Sequence, residues 1–289
     1  MSFLLISREL TIYLGGSLFV IGIIGNGTNI IIFTTERTYR TTPCTFYFLI
    51  CSINNVILLI FSLLIRILSV GFSLDIVRTT SIWCQIRQYS TVVFNVIPLT
   101  CSCLAAIDQF FVTSRSHSLR NFSQIKTAYR LVFITTLIWL LHGIPIFLFY
   151  NISSITATCT AINSVYSIYA SIYLLSFLFI IPLLIMIVFG WLTYRNMHRI
   201  TVLTLNKIDR QLVRMTFIQI LLVIISFLPY GTFSAYSLFT THIIKDSNQR
   251  TIENFTSTVV GLIVNIFNTV CFFLSTMLII YKKNIRFYI

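Results

Sequence analysis

Charge is scarce in this chain. Only 9% of the residues are Asp, Glu, Lys or Arg, and just seven of the 289 are acidic. A water-soluble domain of that size needs far more polar surface around its core, so the soluble globular class is excluded. Paired acids, HExxH and GxSxG runs and clustered histidines are missing too: His117, His142, His198 and His242 are scattered among opposite ends of the apolar runs. Without converging catalytic groups an enzyme is not expected, and neither is a metal site or a cofactor. Low-complexity tracts and internal repeats are also lacking, so residues 1–289 read as a single unit.

What is abundant is apolar. Hydrophobic residues make up 57% of the chain, aromatics 15%, and mean hydropathy is +0.91. A helix needs about 20 apolar residues to cross a hydrocarbon core. Seven runs are long enough: Leu10–Thr34, Phe46–Gly71, Ile82–Val112, Leu131–Tyr150, Val165–Tyr194, Leu212–Thr241 and Phe255–Tyr281. They are continuous and do not alternate with a period of two, which favours helices over a barrel. The first has no basic region ahead of it and exceeds a signal peptide's apolar core, so it is read as a span. The expected fold is an all-α membrane protein, a seven-transmembrane helix bundle forming one domain.

The net charge of +13 is unevenly divided. One set of loops, with the C-terminal end, holds fourteen cations against Glu36, Asp108 and Asp209, a balance of +11. The other set holds six cations against four acids, a balance of +2. The positive-inside rule puts the first set in the cytoplasm, leaving the N-terminus extracellular and the C-terminus cytoplasmic. Cations gathered at span ends, with no aromatic interleaving on a soluble surface, speak for topology and against nucleic acid as a partner. The bilayer itself is the partner they imply.

Some residues break the apolar pattern. Cys84 opens the third run and Cys159 lies between the fourth and fifth, both on the oxidising side, where a bridge is expected. Such a bridge would pin the loop across the mouth of the bundle. Asn26, Asn55, Asn265 and Asn268 sit inside runs, where each costs free energy unless it finds a partner across the interior. Pro98, Pro182 and Pro229 each remove a backbone hydrogen bond and are expected to kink their helices, as architecture or as pivots. Asn151-Ile152-Ser153 is a glycosylation acceptor on the outer side.

These features, in order, resemble the rhodopsin-like G-protein-coupled receptors over nearly the whole chain, and most closely invertebrate neuropeptide-receptor-like members. The resemblance is carried by Gly25-Asn26, Cys84, the stretch LAAIDQFF closing the third run, Trp139, Pro182 and Phe227-Leu228-Pro229-Tyr230. At the spacing from Cys84 where the family has Asp-Arg-Tyr, this chain has Asp108, Gln109 and Phe110. The resemblance therefore implies a G-protein switch at Asp108 and Gln109, with Asp209 at the foot of the sixth helix. A neutral Gln109 would replace charge-assisted bonds of about 1.5–3 kcal/mol by ordinary ones near ~1 kcal/mol, so the closed state should be held less firmly. The bland alternative is that Asp108 only balances nearby cations at the membrane boundary. The family's Asn-Pro-x-x-Tyr signature is missing from the seventh run, and Asn55 with Pro98 does not reproduce its sodium site.

The same resemblance implies a plasma-membrane protein that binds an extracellular ligand in the outer half of the bundle and activates a heterotrimeric G protein. Thr91, Asn95, Phe227 and Tyr230 are the implied lining residues, each equally readable as packing. Amine receptors of the family carry an aspartate at the position of Thr91, so a small cationic amine is disfavoured, and the likeness to neuropeptide-receptor-like members favours a peptide. Two other classes remain: a transporter or channel, and a receptor fold that no longer signals.

Overall fold

The computed structural model describes residues 3–35, 40–74, 80–153, 159–199, 207–240, 243 and 245–285; the side chains of 4, 199, 207–209, 211 and 270–285 fall outside the described set. Among the described residues six helices are long and apolar enough to cross a membrane, by length and composition. They are α1 (Leu5–Thr35), α2 (Pro43–Gly71), α3 (Ser81–Val112), α4 (Ile125–Phe149), α5 (Ser164–His198) and α6 (Lys207–Phe239), whose apolar part is Leu212–Phe239. A further helix, α7, spans Ser247–Ile285 and covers the last expected run. Between α4 and α5, β1 (Tyr150–Ile152) and β2 (Cys159–Ala161) pair antiparallel, with Asn151 opposite Thr160. The architecture is that of a multi-pass membrane protein.

The helices overrun the apolar runs. α4 begins at Ile125 rather than Leu131, α5 continues to His198, and α7 starts at Ser247 rather than Phe255. Apolar content marks where lipid is met, whereas backbone bonding continues until something caps it. Thr80 Oγ1 accepts from the Trp83 amide at 3.4 Å at the start of α3, and Asn163 Oδ1 accepts from the Val165 amide at 2.9 Å at the start of α5. Pro43 occupies the first turn of α2, where a missing N–H is harmless.

α3 is the hub, touching α2, α4, α5 and α6, while α7 closes the ring between α6 and α1. The core around α3 includes Phe33, Phe48, Ile97, Leu99, Met186, Leu212, Met215 and Phe267, all essentially fully buried. Large apolar side chains also cover the outside, among them Ile24, Ile31, Phe133, Ile138, Leu184, Trp191 and Leu221. In water such a continuous belt would drive aggregation; around a bundle of spanning helices it is the lipid-facing surface.

The three prolines are accommodated in two ways. Pro182 follows a π-helical stretch, Ser176–Ile180, whose wider turn gives room where the proline ring would crowd the carbonyl of Leu178. Pro98 and Pro229 lie within continuous helices. The Pro98 carbonyl accepts from Ser102 Oγ at 2.8 Å and from Cys51 Sγ at 3.3 Å, which ties α3 to α2 at that level.

Gly143, near the end of α4, permits the closest α3–α4 approach. A Cβ there would fall 2.6 Å from both Tyr89 Cε2 and Val93 Cγ2, and the Tyr89 ring is held in place by its hydroxyl, which donates to the Leu140 carbonyl at 3.1 Å. Gly143→Ala should therefore cost about 1–3 kcal/mol by overpacking, read as a lower thermal midpoint in detergent. Gly16→Ala, which meets nothing within 4 Å, should leave the midpoint unchanged or slightly raised.

Candidate functional site

The chemistry-bearing residues gather at the two ends of the bundle. At one end Cys84 and Cys159 form a disulfide with a Cα–Cα separation of 5.6 Å. Cys84 is at the first turn of α3 and Cys159 opens β2, so the bridge fastens the hairpin to the hub helix. Gln85 Nε2 donates to the Tyr150 carbonyl at 3.1 Å, a second tie one residue along. Tyr166 stacks on Phe149 at 4.6 Å and meets Tyr150 edge-on at 6.0 Å, which packs the base of the hairpin against α5. Asn151 lies in β1, and its side-chain oxygen accepts from the Ile152 amide at 2.8 Å.

The four residues read as lining fall at different depths. Tyr230 is half-buried, close to Ser234 on its own helix and to Tyr150 of the hairpin, so it stands beneath the lid. Thr91 and Asn95 are half-buried on α3, and Asn95 Nδ2 donates to the Thr91 carbonyl at 2.6 Å. Phe227 is a core residue, 3% exposed and edge-on to Phe267 at 5.4 Å. The bland packing reading suits Phe227 best.

Two arginines at this end look, in the sequence, like ordinary edge charges. Arg66 on α2 and Arg87 on α3 each keep some contact with open space while being densely surrounded, and their guanidinium groups are close enough to repel each other. Arg66 Nη1 lies over α7, 2.5 Å from where a Cβ on Gly261 would be, and Arg66 Nε is buried without a hydrogen-bond partner. Enclosing an ion costs several kcal/mol even after relaxation, and a like charge beside it raises that cost. Arg87, Thr91 and Asn95 follow one another at one-turn spacing on a single face of α3; that spacing is the signal the sequence carries for them. Arg8 is the third cation here, its Nε donating to the Gly71 carbonyl at the end of α2, 2.9 Å away.

Beside this end, α6 and α7 border a cleft of about 790 Å³, lined by Phe233, Tyr236, Gln249, Glu253, Thr256 and Val260 among others. Lys245 pairs with Glu253 at 2.8 Å, and Tyr236 donates to the same carboxylate at 3.0 Å. The hydrogen bond from Lys245, first, and that from Tyr236 hold the Glu253 carboxyl below its ordinary value. A lowered folded value means the tie is fully present above the ordinary carboxylate range and is lost as pH falls through the depressed value. Hydrogen exchange across Tyr236–Phe239 should accelerate over that acid window, and Glu253→Gln should remove the pH dependence.

Between the two ends runs a line of buried amides and hydroxyls. Asn55 Nδ2 donates to Asn26 Oδ1 at 3.3 Å, and Asn26 Nδ2 donates to the Asn268 carbonyl at 3.1 Å, so α2, α1 and α7 are joined through the wholly buried Asn26. Asn265 instead donates to the Gly261 carbonyl of its own helix at 2.8 Å. Nearer α6, Gln219 Nε2 donates to Ser102 Oγ, a link with no signal in the sequence beyond two polar residues on separate apolar runs.

At the opposite end Asp108 is 5% exposed and accepts from Ser123 Oγ at 2.6 Å, fastening the foot of α3 to the loop before α4. Gln109 is 2% exposed and makes no hydrogen bond to Asp108; its Oε1 is buried without a partner. It lines a narrow crevice between α3, α5 and α6, together with Ala106, Gly190, Thr193, Val213, Thr216 and Phe217. The expected Gln109–Asp108 bond is thus replaced by Ser123–Asp108, because successive residues on a helix point about 100° apart. The Asp209 side chain lies outside the described residues. No group of three or more His, Cys, Asp or Glu side chains suited to a metal occurs among the described residues.

A scan against protein-family models finds no match, and no curated protein is similar in sequence. The functional reading therefore rests on the residues themselves.

Proposed function

We propose that this chain is a rhodopsin-like G-protein-coupled receptor of the plasma membrane, with seven spans, the disulfide end extracellular and the Asp108 end cytoplasmic. α7 serves as the seventh span. The observation that carries the reading is the hairpin fastened by Cys84–Cys159 to the head of α3, the same hub helix whose foot bears Asp108 and Gln109. One helix then links an outer, lidded mouth to an inner crevice between α3, α5 and α6.

In this reading a ligand, a peptide being favoured, enters beneath the hairpin between Thr91 and Asn95 on α3 and Tyr230 on α6. Binding biases a two-state bundle only by its differential affinity for the two states. The state with the Gln109 crevice open accepts a helix of a heterotrimeric G protein in the groove between α3, α5 and α6. Pro182 and Pro229, in the helices flanking that groove, are the pivots.

Expression with several G-protein readouts, first without ligand and then against a neuropeptide library, tests the proposal. Silence in every readout despite surface delivery would turn the reading toward a receptor fold that no longer signals. Ion flux or turnover by the purified protein alone would favour a transporter, channel or enzyme.

A further inference from the structure

We infer that the ligand carries a carboxylate, and that Arg66 of α2 and Arg87 of α3 receive it together. The word ligand rests on the receptor reading; the anion site stands on its own geometry. Arg66 lies five residues before the end of α2 at Gly71, and Arg87 six residues after the start of α3 at Ser81. At about 1.5 Å of rise per residue both are roughly 8–9 Å in from the same end of the bundle. They meet at one level, on adjacent helices, near enough to repel.

Among the described residues nothing offsets those charges. Neither guanidinium has a hydrogen-bonded or ionic partner within that set. Of the acids described at this end, Glu253 is held by Lys245 and Tyr236, while Glu9 and Asp246 are solvent-exposed. An arginine near a span end ordinarily extends its head into water and leaves only its stem enclosed. In Arg66 the enclosure reaches the head group: its Nε is buried and unpartnered, and its Nη1 lies against α7 at Gly261, where a larger residue would displace it. The winding around it is also unusual. Arg66 sits between two π-helical stretches, Leu59–Leu64 and Ile67–Gly71, a form that recurs at functional sites.

Direction and chemistry narrow the anion. Arg87 shares its face of α3 with Thr91 and Asn95, and Arg66 Nη1 lies against α7 at Gly261, on the bundle side of α2. Two planar forks at one level on adjacent helices suit the two oxygens of a carboxylate, each accepting from one guanidinium. Such a group, at the C-terminus of a peptide or on a small acid, would cancel the repulsion as it binds and would draw α2, α3 and α7 together.

The test uses the full-length protein in phosphatidylcholine nanodiscs and follows its thermal midpoint while decanoate or a blocked dipeptide with a free C-terminal carboxylate is titrated in. The matched amides, decanamide and the dipeptide amide, serve as neutral partners. Both acids should raise the midpoint saturably and the amides should not. Arg66→Gln and Arg87→Gln should each weaken the acids by about 10–100-fold, the loss of a charge-assisted contact, without lowering the midpoint of the probe-free protein. Gly261→Ala, which keeps both charges but displaces Arg66, should also weaken them. Absence of any shift, equal shifts by acids and amides, or an undiminished shift in Arg66→Gln overturns the inference. So does stabilisation that appears only when phosphatidylserine is added to the discs, since the anion would then be a headgroup. Nucleotide exchange on added G proteins is scored separately: acid binding without exchange sinks the receptor reading and leaves the anion site standing.

Discussion

Replacing Cys84 and Cys159 by serine should lower the stability of the protein by about 2–5 kcal/mol, a larger loss than that expected from overpacking at Gly143. The bridge closes a loop spanning 75 positions, within which lie all of α4 and β1 and nearly all of α3. Among the ties of the described residues that then remain are the Gln85–Tyr150 bond and the aromatic contacts of Tyr166, each worth about 0.5–1.5 kcal/mol. The measurement is a thermal midpoint in detergent, with and without reductant. Reductant should carry the native protein down to the midpoint of the double variant and leave the variant where it is. If the native midpoint ignored reductant altogether, the hairpin would be held by packing alone and the bridge would not be what keeps the lid in place. On the receptor reading, ligand response should fall as well, even in cells that still deliver the variant to the surface.

The second large effect concerns Gln109 and has two arms of opposite sign. In Gln109→Leu an amide whose oxygen has no partner is exchanged for an apolar side chain of similar size in an apolar crevice. Removing that unmet acceptor favours the closed arrangement by about 1–3 kcal/mol, so on the receptor reading ligand-free G-protein output should fall by roughly 5-fold or more. Gln109→Arg places a cation where Val213, Thr216 and Phe217 leave no room and Ser123 already occupies one Asp108 oxygen. Overpacking there costs about 1–3 kcal/mol, and opening the crevice relieves it, so on the receptor reading ligand-free output should rise. Identical output from native, Leu and Arg forms, at matched surface levels, would mean that this crevice does not gate coupling. The family resemblance alone points the other way for arginine, because there the residue pairs with acids, so the sign of the Gln109→Arg effect separates the two readings.

The helices were legible in the sequence because each is long and uninterruptedly apolar, and lipid imposes that pattern on every span. Their ends were not. α4 and α7 begin ahead of their apolar runs, at Ile125 and Ser247, because backbone hydrogen bonding does not require apolar side chains. The disulfide was legible because Cys84 and Cys159 were the two cysteines expected on one side. The arginine pair was harder to see. Each cation by itself looks like an ordinary edge charge, and only the packing of α2 against α3 brings them to one depth. The same holds for Asn265 and Asn268, three positions apart on α7: Asn265 bonds its own helix, while the carbonyl of Asn268 takes a bond from α1.

The sequence by itself determined that this is a helical membrane protein, because apolar runs of spanning length have no other stable arrangement once every backbone group must be bonded within the segment. It also determined which cysteines could bridge and where charge is rare enough to matter. Only the tertiary structure decided which rare polar groups meet: Asp108 with Ser123 rather than Gln109, Ser102 with Gln219, Arg66 with Arg87 across from Gly261. The reason is physical. Spanning is a property of one helix and its solvent, whereas a meeting of side chains depends on the rotation and depth of two helices at once, and those are set by packing summed over the whole interface.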